Sequence, residues 1–263
     1  ICYESVFGTI AEYALKNGTD IADLTGTDIM ALYTEVLNDA MKKMIWRIGW
    51  FGNKSAQHAA DGGKITDTVA TNLFTMCDGL FARIMKQSTS NASQYTEIAA
   101  NKKESFAEQK KAALAEGYMT DLVDNMLMDV DSRILDDSGA VLMMTRNMAD
   151  ALTYDIKKVH HLIMPWEKVF DGFDVASYNG VKIARVSIWD RMIMAYEKGT
   201  TGVPNLPYRA VFANPQQLMV GCPSDLVSDL DMWFDKKERR NYIYATGKIG
   251  TAILEDDMFH AAY

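Results

Sequence analysis

All five prolines of the 263-residue chain, Pro165, Pro204, Pro207, Pro215 and Pro223, lie after position 164. Proline removes a backbone donor and clashes with the preceding helical turn, so the proline-free part of the chain is where long helices can form. The strongest signal runs from Thr27 to Ile48. There Ile29, Leu32, Tyr33, Val36, Leu37, Met41, Met44, Ile45 and Ile48 follow i, i+3, i+4, i+7 spacing and share one helical face. Thr27 suits the N-cap, Asp28 and Glu35 favour the positive end, and Lys42, Lys43 and Arg47 the negative end. Gly49 and Gly52 are expected to stop this helix after roughly 33 Å, at about 1.5 Å per residue.

Beyond it, Asn53 to Lys64 is polar, contains His58 and the pair Gly62 and Gly63, and reads as an excursion. Ser105 and Glu108 form a capping box, and Met119, Leu122, Val123, Met126, Leu127 and Val130 extend it into a predicted helix that ends near Asp136 to Gly139. Ala140 to Thr145 suits a buried strand and Asn147 to Lys158 a helix. After Trp166 the period shortens to that of strands. Val169 to Tyr178 and Val181 to Val186 flank Asn179-Gly180, a hairpin turn in which both residues need positive φ. Tyr208 to Ala213 and Leu218 to Val220 read as two more strands, and Asp231 to Phe234 and Asn241 to Thr246 as a final hairpin around the charged turn Asp235 to Arg240.

The charge balance is 27 Lys plus Arg against 35 Asp plus Glu, a net charge of -8, which argues against tight binding to a phosphate backbone. No apolar run approaches the roughly 18 residues needed to span a bilayer, so a soluble protein without a membrane partner is expected. Cys2, Cys77 and Cys222 are odd in number, far apart and without a CxxC, which predicts three reduced thiols rather than a disulfide framework or a zinc site.

The search for catalytic motifs assigns no catalytic, cofactor-binding or metal-binding residue. Gly52, Lys54 and Ser55 lack the spacing of a phosphate-binding loop. The acidic run Asp129, Asp131, Asp136 and Asp137 has Ile134 where a calcium loop needs its pivot glycine and Ala140 where it needs its last glutamate. His160 and His161 diverge by about 100° on a helix and cannot chelate as an i, i+4 pair, and His58 and His260 stand elsewhere in the sequence. Cys77 and Cys222 read as small core residues. Asp225, Asp229, Asp231, Glu255, Asp256 and Asp257 could hold a carboxylate pair, but surface acids are the base expectation for so acidic a chain. The seventeen methionines suit core filling or adaptable protein contacts.

Several phrases, taken in order, resemble the major capsid protein of tailed bacteriophages, the head-shell fold shared with encapsulin compartments. The Thr27 to Ile48 helix resembles that family's spine helix, G-W-F-G-N-K-S at Gly49 to Ser55 the loop that ends it, and D-G-L-F-A-R-I at Asp78 to Ile84 the short segment that follows. The Ser105 to Asp131 helix, D-D-S-G at Asp136 to Gly139 and A-V-L-M-M-T-R-N-M-A-D-A-L resemble the passage from peripheral to axial domain. F-D-G-F-D-V-A-S-Y-N-G-V-K-I resembles the axial strand pair, and R-A-V-F-A-N-P-Q-Q-L-M-V-G through W-F-D-K-K-E-R-R-N-Y-I-Y the return that closes the peripheral sheet.

The resemblance implies an α+β fold, with residues 1–137 and 226–263 as a peripheral domain carrying the spine helix (27–48) and residues 138–225 as an axial domain. It implies a non-enzymatic structural protein that assembles with itself, as pentamers and hexamers, into an icosahedral shell around DNA held only non-specifically. A head protease, a scaffold and a portal would be its assembly partners in the bacterial cytoplasm, and the virion its destination. The family's extended N-terminal arm and projecting hairpin have no counterpart in Ile1 to Gly26, so a larger gene product is expected. The alternatives are an encapsulin-type shell, marked by a cargo pocket on its inner face, and a cytoplasmic enzyme built on dispersed acids such as Asp190 and Asp225.

Overall fold

The computed structural model describes residues 28–170, 172–221 and 229–263. Thr27, Cys2, Cys222 and Asp225 lie outside them. In chain order the regular elements are α1 (Asp28–Phe51), α2 (Leu80–Ser90), β1 (Tyr95–Thr96), α3 (Phe106–Ala113), α4 (Tyr118–Asp129), α5 (Ser132–Leu135), β2 (Val141–Met144) and α6 (Arg146–Val159). There follow β3 (Glu167–Phe170), β4 (Phe173–Tyr178), β5 (Val181–Val186), α7 (Ser187–Tyr196), β6 (Ala210–Ala213), β7 (Leu218–Gly221), β8 (Asp229–Asp235), β9 (Arg240–Thr246), β10 (Gly250–Ile253) and β11 (Phe259–Ala262). The chain is thus α+β, and it divides into two compact units, residues 1–46 with 221–250, and residues 47–220 with 251–263.

In the first unit, β8 and β9 pair antiparallel from Asp229↔Thr246 to Asp235↔Arg240. The Asp235 carboxylate accepts the Lys237 and Glu238 amides at 2.8 and 3.3 Å, which sets the turn. Arg239 takes positive φ, and Trp233 stacks on Tyr242 with ring centroids 5.4 Å apart. The expected hairpin is present, but among the described residues it pairs only with itself and does not close a larger sheet. The strand that returns to the sheet is β11.

The second unit is built on a seven-stranded mixed sheet in the order β1-β11-β6-β2-β5-β4-β3. β1 with β11 and β2 with β5 run parallel, and the other neighbours run antiparallel. Leu142 and Met144 of β2, Ala210 and Phe212 of β6, and Ile183 of β5 face a core shared with Met119, Val123 and Met126 of α4 and Met148, Leu152 and Ile156 of α6. The alternate positions Met143, Val211, Ala213 and Ala184 are buried too. β2 and β6 are therefore covered on both faces, which explains why their sequences are continuous apolar runs rather than alternating ones. Trp50, Phe81 and Trp189 form a second cluster at centroid distances of 4.5 to 5.2 Å.

Four expectations change in detail. α1 continues through Gly49 to Phe51, and the stop is Gly52. The single helix expected from Ser105 to Asp131 is two, because Gly117 adopts φ +75 between α3 and α4; the capping box is nevertheless formed, with Ser105 Oγ accepting the Glu108 amide at 3.2 Å. The strand expected from Val169 to Tyr178 is the hairpin β3–β4. β6 and β7 belong to different sheets, β7 pairing with β10. The Asn179-Gly180 turn is as expected, with φ +48 and +81 and Tyr178 opposite Val181.

The end of α1 meets the start of α2 through two glycines. The Gly79 amide donates to Gly52 O at 2.7 Å. A Cβ on Gly52 would lie 2.5 Å from Cys77 O, and one on Gly79 would lie 2.6 Å from Gly52 N. Gly52→Ala and Gly79→Ala should each destabilise the fold by about 1–3 kcal/mol through overpacking against backbone. Gly250→Ala, with nothing within 4 Å of the new methyl, should leave the urea midpoint unchanged.

Candidate functional site

Of the described acids that a catalytic reading would use, Asp131 and Asp137 lie at a helix start and in a turn, Asp229 and Asp231 on β8, and Glu255, Asp256 and Asp257 before β11. Asp131 caps α5, accepting the Arg133 amide at 2.9 Å, and Arg133 bridges Asp131 and Asp257 at 2.8 and 2.7 Å. Hydrogen bonds from Arg133 hold Asp131 down to about 2 and lower Asp257. Asp137 accepts from Asn214 Nδ2 at 2.7 Å and the Gly139 amide at 2.8 Å, which lower its pKa. The Asp78 carboxylate takes the Lys54 amide at 2.9 Å, so the lysine of the apparent phosphate loop begins an ordinary turn. Among the described residues no three His, Cys, Asp or Glu side chains cluster as metal ligands, and no helix is long and apolar enough to cross a membrane.

Two carboxylates have sharper roles. Asp155, on the buried face of α6, accepts the amides of Gly117, Met119 and Thr120 at 2.7 to 3.1 Å and the Thr120 hydroxyl at 2.7 Å. Burial pushes its pKa up, but these four donors outweigh it and the pKa is lowered. It holds the orphan donors at the start of α4, where the helix dipole also favours an anion. Asp190, on α7, does the same for α6, accepting the Arg146 and Asn147 amides at 2.5 and 3.0 Å. Thr145 occupies the N-cap position of α6 but caps with no side-chain bond, its hydroxyl accepting the Arg209 amide at 3.3 Å. Burial raises Asp190 to about 6 against the pull of those amides.

His260 and Cys77 lie in the core, and His58, His160 and His161 lie outside it. His260 on β11 is buried, with Nε2 2.8 Å from Thr96 Oγ1, and burial lowers its pKa. His160 ends α6 and His161 takes positive φ. Cys77 is a buried free thiol whose pKa burial raises.

One pocket, of about 240 Å³, gathers charged groups that sequence reasoning missed. It lies among the Phe51–Gln57 turn, the Gly62–Ile65 loop and α2, and it is lined by Lys64, Glu197 and Arg209. Arg209, only 2% exposed, donates to Glu197 and to the carbonyls of Leu206 and Asn205 at 2.9 Å each. Its guanidinium lies 5.4 Å from the Phe51 ring centroid and 5.0 Å from that of Phe81. Glu197 also accepts from Asn205 Nδ2 at 3.4 Å. Burial lowers the Lys64 pKa, with Glu197 opposing and Arg209 adding to the shift. The arrangement satisfies a buried guanidinium, and no nucleophile hydrogen-bonded to a base is found among the described lining residues.

No protein-family model and no curated protein matches the chain. Among solved structures it is similar to a chain of the satellite phage P4 procapsid including size determination (Sid) protein, with a TM-score of 0.49 and 11% identity over 89% of this chain and 67% of that one. It is also similar to a chain from Mycobacterium phage Che8, with a TM-score of 0.36 and 11% identity over 75% of this chain and 67% of that one.

Two variants test these assignments. A raised carboxylate pKa means that the folded state holds a proton the unfolded state releases, so Asp190 adds stability below about pH 4 that is lost as pH rises through about 6. Replacing Asp190→Asn should remove a fall of about 3 kcal/mol between these limits, read by urea unfolding across the series. Glu197→Gln leaves the Arg209 charge buried without its counter-ion and should cost about 3–5 kcal/mol, read by thermal and urea unfolding at pH 7.

Proposed function

We propose that the chain is a structural subunit of a tailed-phage or prophage head shell. The observation that carries the reading is the order of elements. The long helix α1, the glycine crossing into α2, helix α4, the β2–α6 strand and helix, the Asn-Gly hairpin, β6 and the β8–β9 hairpin succeed one another as the capsid resemblance leads one to expect. A second support is the fate of the acids, because Asp190, a candidate for an enzyme reading, is committed to the amides of α6.

On this proposal residues 138–225 form the axial domain and residues 1–137 with 226–263 the peripheral domain, with the seven-stranded sheet shared between them. The subunit works through its edges. A rigid, doubly covered sheet presents the same surfaces in every copy, and head-to-tail contacts that close yield the rings of five and six from which an icosahedral shell is built. The acidic balance suits a container that must not grip packaged DNA. Head protease, scaffold and portal would act during assembly in the bacterial host, and the completed shell would reside in the virion.

Light scattering on the full gene product, expressed with its neighbouring head genes, should show particles of megadalton mass. A full gene product that stays monomeric under all of these conditions would overturn the proposal.

A further inference from the structure

Two faces of the second unit are exposed, apolar and opposite in charge, and they lie towards opposite ends of the sheet order. At one end β3 is an edge strand, paired with β4 and, among the described residues, with no other strand. All four of its residues are exposed, with Val169 at 60% and Phe170 at 52%. The segment leading into it carries Leu162 and Ile163, 63% and 87% exposed, over an open hollow of about 410 Å³ that also includes Pro165 and Tyr178. The cations here are Lys157 and Lys158, exposed on the last turn of α6, and Lys168, with Glu167 as the acid of the edge strand. Asp124, at the rim of the hollow, is engaged by Tyr178 and Asn179.

Towards the other end, the turn before β11 carries Leu254, 59% exposed, followed by Glu255, Asp256 and Asp257. Arg133 ties this turn to the end of α4 and to α5, where Met128 is 79% and Leu135 44% exposed and Asp129 and Asp136 are exposed acids. The Arg133 charge is taken up by Asp131 and Asp257.

We propose that these two faces are the halves of one contact between copies of this chain, with the Leu162–Phe170 edge of one copy seated on the Met128–Leu135 and Leu254–Asp257 face of the next. Single exposed apolar residues are ordinary, but four together on a strand edge and its approach mark an interaction surface. Charge complementarity selects the occupant. Two lysine-bearing edges repel each other, as do two acidic faces, so like-to-like pairing is disfavoured and unlike pairing is steered together. Because the faces stand towards opposite ends of one sheet, the contact is heterologous and propagates into a ring or an open filament. The inference rests on the shell reading and names the surfaces that would close its rings.

The test is a charge swap in the full gene product. Lys157→Glu with Lys158→Glu, and separately Glu255→Lys with Asp256→Lys, should each lower the sedimentable assembled fraction at least tenfold while leaving the melting temperature within a few degrees. The chain carrying all four substitutions should recover assembly, because each reversed face again meets its complement. Mixing the two double variants should restore association in alternating order, because a copy negative on both faces and a copy positive on both meet through complementary faces on each side, and rings of even number can then close. Wild-type-like assembly of both double variants, or failure of the fourfold variant to recover, would overturn this contact while leaving the shell reading standing. Absence of particles in the unsubstituted protein would overturn both.

Discussion

The organisation of the second unit depends on helix starts that are satisfied from a distance by carboxylates on other helices. Asp155 of α6 holds the first amides of α4, and Asp190 of α7 holds the first amides of α6. Each of these two helices is therefore positioned by a later one through charge-assisted bonds, which are shorter and stronger than neutral ones. The relay fixes α4 and α6 over the sheet, where Met119, Met126, Met148 and Leu152 supply the apolar core. The methionines and alanines of that core fill space without specifying direction, and the direction comes from the caps.

The same logic explains the buried Arg209. It lies between aromatic rings and is neutralised by Glu197, and its own amide occupies the hydroxyl of Thr145. Asp190 thus caps α6 where the local N-cap residue does not. Thr145, Arg209 and Glu197 are thus linked in one chain of hydrogen bonds that positions the start of β6 against that of α6. On the proposed reading the working surfaces are exposed ones, the β3 edge and the acidic turn before β11.

Much of the architecture was legible in the sequence because it is written in local rules. The proline-free stripe gave α1, the Ser105 and Glu108 pair gave the start of α3, and Asn179-Gly180 gave the β4–β5 turn. Positions that depend on distant partners were not legible. Gly117 breaks a helix that periodicity alone would continue, and its conformation is fixed by Asp155, 38 residues away. Asp155 left a trace, an acid in the apolar stripe of Met148, Leu152 and Ile156, whereas nothing near Arg209 or Glu197 announces their pairing. Sheet membership likewise follows long-range contacts, so β6 and β7, adjacent in sequence, belong to different sheets.

The central claim is that rigid copies of this sheet, joined edge to face, build a closed container. Electron cryomicroscopy of particles purified from cells expressing the full gene product tests it most directly. The account predicts closed shells of five- and six-membered rings, each subunit fitting the seven-stranded sheet with β3 against the next copy. Discrete small oligomers, or shells in which the β3 edge faces solvent, would contradict it.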